Sequence, residues 1–118
     1  MTKYVLNSGG LRNNPSMSKE FFTEVVKGLG NNPRLLICCF AQPREDWEVK
    51  FAQDKEYIIK LVPEVVSPLL ELAFPSKFEE QIKNSDAIYL RGGDDHLIRY
   101  WFEQFNIHEI WKGKVIEI

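Results

Sequence analysis

The chain has 118 residues, 44% of them apolar and 27% charged, which fits one globular domain and excludes a disordered chain. With 15 basic and 17 acidic residues the net charge is −2, which argues against a protein that grips nucleic acid by neutralising phosphates. No apolar run approaches a membrane span, and Asn7-Ser8-Gly9-Gly10 breaks the opening run too early for a secretory signal, so a cytoplasmic protein with no membrane partner is expected.

Short apolar runs alternate with longer amphipathic segments, the pattern of βαβ units and a parallel sheet. The first strand is expected over residues 3–7, ending in the Ser8-Gly9-Gly10 turn. The first helix follows over 16–29, with Met17, Phe21, Phe22, Val25, Val26 and Leu29 on one face and Gly28 and Gly30 at its end. Residues 35–40 are continuously apolar, as in a strand covered on both faces. A second helix spans 45–62, with Trp47, Phe51, Ile58 and Leu61 inward, and Pro63 closes it because proline has no N–H to donate. A third strand lies near 69–72, where Pro68 implies an edge position or a strand start. Ser76 and Glu79 have the spacing of a capping box for a short helix ending near Asn84. The fourth strand, 87–90, runs into Arg91-Gly92-Gly93-Asp94-Asp95, and a helix follows with Leu97, Ile98, Trp101, Phe102 and Phe105 on one face. A fifth strand occupies 114–118 and, with nothing after it, is expected to be either an edge strand or the point where a larger domain is cut; an open apolar edge would invite pairing with a second copy.

Cys38 and Cys39 are adjacent, which does not make a disulfide framework; they read as two reduced thiols on a buried strand. Ligands of open α/β sheets bind beyond the carboxyl ends of the strands. Three polar turns are expected there: Asn7 to Gly10, Ala41-Gln42-Pro43-Arg44, and Arg91 to Asp95. Gly92-Gly93 stands out, because it lies between a strand and a helix start, where backbone N–H groups favour an anion or an oxyanion. The competing reading is a tight turn with Asp94 or Asp95 capping the helix. Asp94, Asp95 and His96 make a poor metal site, since adjacent side chains diverge and no second ligand cluster exists in the sequence. Neither glycine pair forms a dinucleotide or nucleoside-triphosphate loop, so no cofactor is expected.

Leu6-Asn7-Ser8-Gly9, Phe40-Ala41, and Ile88-Tyr89-Leu90-Arg91-Gly92-Gly93-Asp94 ahead of an apolar helix resemble the peptidase E and cyanophycinase group of serine peptidases, which share the class I glutamine-amidotransferase-like fold. The order and spacing of elements match that group over essentially the whole chain. The resemblance implies an α/β fold: three α-β-α layers around a mainly parallel sheet of about five strands, with a flavodoxin-like topology. It implies oxyanion-hole roles for Gly92 and Gly93, a substrate-side position for Asp94 and for Asn7, Ser8 and Gly9, and a small peptide as substrate. The group's nucleophile stands in a Gly-x-Ser-Ala-Gly elbow on the next strand, and Gly113-Lys114-Val115-Ile116 resembles the start of that strand. The serine would fall about two residues beyond Ile118. These 118 residues contain no Ser-Ala-Gly, and neither His96 nor His108 stands where the group's histidine would be. The expectation is therefore a front portion without catalytic residues, inactive alone, whose partner is a complementing C-terminal half or a second copy. The alternative is a non-catalytic α/β domain that binds a ligand or partner at the same strand ends. A receiver-like domain is disfavoured, because Asn7 and Phe40-Ala41 end strands where it would need acidic residues.

Overall fold

The computed structural model describes residues 3–5, 15–64, 66–105 and 115–117. They form β1 (Lys3–Val5), α1 (Pro15–Val26), β2 (Arg34–Cys38), α2 (Trp47–Leu61), β3 (Leu69–Leu72), α3 (Phe78–Lys83), β4 (Ala87–Leu90), α4 (Asp95–Phe102) and β5 (Val115–Glu117). The class is α/β with a parallel sheet, as the alternation of runs predicts. The strands lie side by side in the order β1-β5-β4-β2-β3, every pair parallel. Among the described residues no helix is long and apolar enough to cross a membrane.

The register aligns Val5, Glu117, Tyr89, Ile37 and Leu72 in one row across the sheet. β2 sits inside that row, and Leu35 through Phe40 are at most 1% exposed. Successive side chains of a strand point to opposite faces, so burial of every one means that both faces are covered. α1 and α2 pack together through Tyr57, whose hydroxyl donates to Ser18 Oγ at 2.8 Å, and Phe22 of α1 meets Tyr89 of β4 at 5.7 Å between ring centres. α3 and α4 form the other helix pair, with Phe78 and Phe102 stacked 6.0 Å apart.

Several boundaries and faces differ from the sequence expectation. Met17 is 52% exposed, and the fully buried Ser18 takes its place on the inner face of α1 with Phe21, Phe22, Val25 and Val26. The turn spacing tolerates either residue, and the Tyr57 hydroxyl supplies Ser18 with a partner. α1 ends at Val26, where Gly28 at φ +80° turns the chain back toward β2. The Ser76–Glu79 capping box does not form; a 3₁₀ turn over Pro75–Lys77 starts this segment, and α3 begins at Phe78 with no side-chain cap. Phe105 packs on the core from the turn after α4, not from within it. β5 is not an edge: it pairs with β4 on one side and β1 on the other.

β3 is the edge that Pro68 implies, and it is guarded. Leu69 N and Ala73 N donate to β2-side carbonyls, so Leu70 and Leu72 turn their backbone groups outward. Gln81 of α3 donates Nε2 to Leu72 O at 2.8 Å and accepts from Phe74 N at 2.9 Å, as a neighbouring strand would. Pro68 offers no N–H at all. Together they leave little of this edge for another chain.

Candidate functional site

The chain leaves β2 toward β3 on one side and returns at β4 on the other. The carboxyl ends of β2 and β4 therefore flank the topological switch point where open α/β sheets hold ligands. Two loops meet there, Ala41 to Arg44 and Arg91 to Asp94. Gln42 Nε2 donates to Gly92 O at 2.7 Å, Asp94 N donates to Ala41 O at 2.7 Å, and Arg91 N donates to Cys38 O at 3.0 Å. The β2 loop is itself anchored: Gln42 N donates to Cys39 O at 2.9 Å, and the Trp47 indole donates to Gln42 O at 2.8 Å.

Gly93 is required by this approach. A Cβ there would stand 2.4 Å from Ala41 O and 2.6 Å from Gln42 Nε2, at a φ of +155°. Gly92 has nothing within 4 Å of such a carbon, so its lack of a side chain leaves open space above the rim. Among the described residues no group accepts a hydrogen bond from the Gly92 or Gly93 amide. Gly92, Gly93 and Asp94 are exposed. Asp94 Oδ1 accepts from His96 N at 2.8 Å, so the aspartate does cap α4, as the plainer reading of the sequence has it. Asn7, Ser8 and Gly9 lie outside the described residues. β1, which precedes them in the sequence, is separated from β4 by β5.

Beneath the rim lies a pair the sequence reading missed. Arg91 Nη1 binds Asp54 Oδ1, with the two side chains 17% and 4% exposed. Asp54 stands in the inward stripe of α2 at the spacing 47, 51, 54, 58, 61, and an acidic residue in an otherwise apolar stripe is the signal that could have revealed it. The pair ties the first residue after β4 to α2. Cys39 is fully buried beside it; burial, with the Asp54 carboxylate next in effect, pushes its thiol up to about 12, and burial raises Cys38 further. Neither is a nucleophile near neutrality, because the thiolate is the reactive form.

On the outer side of the rim Arg44 bonds both carboxylate oxygens of Glu48 at 2.9 and 3.0 Å, and that contact holds the Glu48 carboxyl below its usual range. Its guanidinium covers the Trp47 ring at 4.8 Å and the Phe74 ring at 5.5 Å. Beneath, Phe40 contacts Trp47, Trp101 and Phe102, so the switch point rests on an aromatic floor.

The described serines lie elsewhere: Ser16 and Ser18 in α1, Ser67 before β3, Ser76 in the 3₁₀ turn and Ser85 before β4. None ends a strand. His96 is exposed in the first turn of α4, and His108 lies outside the described residues. No group of three or more candidate metal ligands occurs among the described residues. A separate groove of about 450 Å³ opens beside β3, lined by Arg34, Leu36, Leu69, Glu71, Lys77 and Glu80 among others. It lies along β3 and α3, away from the glycine rim.

Fold and rim together define a parallel α/β arrangement in which the loops after β2 and β4 meet at an exposed pair of glycines. The chain matches no family model, no curated protein and no solved structure.

Proposed function

We propose that this chain is a single α/β domain whose rim is the oxyanion side of a peptidase E-like serine hydrolase site. In this reading it engages a small peptide in the cytoplasm, and these 118 residues do not by themselves cleave it. The observation that carries the reading is the position of Gly92 and Gly93. They follow β4 at the switch point, exposed, with their amides taken by no described acceptor. Preorganised amides of this kind stabilise a negative oxygen that appears only as the carbonyl is attacked. The order β3-β2-β4-β5 winds both ways from β2, which favours a flavodoxin-like, glutamine-amidotransferase-like arrangement. β1 at the far side of β5 is an addition to that scheme.

Hydrolysis needs a nucleophile aimed at the same carbonyl. The described serines sit in helices, turns and strand starts, and the two thiols are buried and protonated. A non-catalytic domain that binds at the same rim is the second reading, and the absence of a strand-end serine among the described residues favours it. A serine-directed fluorophosphonate and a panel of dipeptides, including aspartyl dipeptides, test the proposal. The expected result is no covalent adduct and no cleavage by this polypeptide, with cleavage appearing once a polypeptide carrying the Gly-x-Ser-Ala-Gly elbow is added. Labelling of the chain alone would overturn the account of the nucleophile. Binding without cleavage under every complementation would leave the binding-domain reading.

A further inference from the structure

Gly92 O and Gly93 N belong to one peptide plane. None of the described peptide bonds is cis, so this carbonyl and this N–H point in opposite directions. Gln42 Nε2 holds Gly92 O at 2.7 Å, which aims the carbonyl at the loop after β2 and the Gly93 N–H away from it. On the far side of β4 from β2 lies β5. The next plane is also fixed, because Asp94 N donates to Ala41 O. With both planes pinned, Gly93 cannot rotate its N–H without breaking one of these bonds. A side chain at position 93 would collide with the same two groups.

From this geometry we infer that Gln42 is a positioning residue: its side-chain amide selects the orientation of the Gly92–Gly93 peptide that presents the Gly93 N–H to the substrate oxygen. The inference rests on the reading of the rim given above. Gln42 needs no contact with substrate to act in this way. Its backbone is held independently by Cys39 O and the Trp47 indole, so changing the side chain leaves the loop anchored.

The test uses the full chain labelled with ¹⁵N and acetate as the oxyanion probe, following the Gly93 amide. Gly28 and Gly30, exposed glycines away from the rim, serve as internal controls. In the parent the Gly93 amide shifts saturably with acetate and the controls do not. Gln42→Met removes the donor and weakens that response about fivefold, the effect of one net hydrogen bond. Gln42→Glu behaves like Gln42→Met at pH 7, where a carboxylate cannot donate. It recovers the response below about pH 4, where the protonated carboxyl can donate. Because acetate is itself protonated there, methanesulfonate, which stays ionised, is the probe for this arm, with the parent measured at the same pH. A role in loop stability alone would also loosen the Asp94 N–Ala41 O and Arg91 N–Cys38 O bonds, so those two amides would lose their protection from hydrogen exchange in Gln42→Met; the positioning role leaves them protected. Preserved dispersion of the remaining amides shows that each variant is folded. An unchanged Gly93 response in both variants would overturn the role of Gln42 and leave the rim intact. A parent whose Gly93 amide ignores acetate would overturn the rim itself, and Gln42's role with it.

Discussion

Replacing Asp54 with Leu removes the carboxylate that faces Arg91 in a region water barely reaches, at 4% and 17% exposure. Withdrawing one member of a buried ion pair leaves the other dehydrated and uncompensated, which costs about 3–5 kcal/mol. The partial exposure of Arg91 lets its head turn toward solvent, so the lower end applies, about 3 kcal/mol. Domain stabilities are about 5–15 kcal/mol, so the loss is a large share of the whole. With a urea slope of about 2 kcal/mol/M the midpoint falls by about 1.5 M. Changing Arg91 to Met as well removes the orphaned charge, and the double variant returns to within about 1 kcal/mol of the parent. The measurement is equilibrium urea unfolding of the parent, both single variants and the double. A loss below about 1 kcal/mol for Asp54→Leu, or a double variant no better than the singles, would refute the claim that this is a buried pair. It would place the contact among solvent-screened ones.

Three further outcomes follow from the same geometry. The buried thiols stay protonated in the fold after their unfolded counterparts ionise near pH 9. Stability is therefore full below that pH and falls as pH rises toward 12, by about 1.4 kcal/mol per pH unit for each thiol. Urea unfolding across this range reads the slope, and Cys39→Ala should remove about half of it; a flat profile would contradict the burial. Gly93→Ala meets Ala41 O and Gln42 Nε2 and should cost about 1–3 kcal/mol, whereas Gly92→Ala, with open space around it, should stay within about 0.5 kcal/mol. Equal effects in thermal unfolding would show that the two loops do not approach as described. Gln81→Leu frees Leu72 O and Phe74 N at the sheet edge. It should cost about 1–3 kcal/mol and raise the apparent mass in light scattering with concentration, and a variant as stable and as small as the parent would remove the edge-guard role from Gln81.

β2 and β4 were legible because each apolar run is too short for a helix and is bounded by turn residues, Pro33 and Gln42-Pro43 for β2 and Gly92-Gly93 for β4. The inward stripe of α2 was legible too, except at Asp54, whose partner lies 37 residues away. Only the tertiary fold brings the two together, so local periodicity could not supply the pairing. Ser18 replaced Met17 for a related reason: the hydroxyl of Tyr57 makes a serine acceptable inside, and no local rule anticipates that bond. The Ser76–Glu79 pattern was present but unused, since Pro75 favours a 3₁₀ turn that shifts the helix start to Phe78. The lateral order of strands was the least accessible feature. The position of β5 between β4 and β1 depends on crossovers, not on any residue of β5 itself. At the rim, spacing alone left Gly92-Gly93 between a turn and an anion cradle. The structure gives the two glycines separate explanations: Gly93 admits the neighbouring loop, and Gly92 leaves space open.

The claim that the working surface is the meeting of the β2 and β4 loops is tested most directly by mapping where a dipeptide touches the ¹⁵N-labelled chain. Saturable shifts should gather on residues 41–44 and 91–94, with Gly93 among the largest. Shifts confined instead to Arg34, Leu69 to Glu71 and Lys77 to Ser85, along the groove beside β3, would move the site to the sheet edge and contradict it.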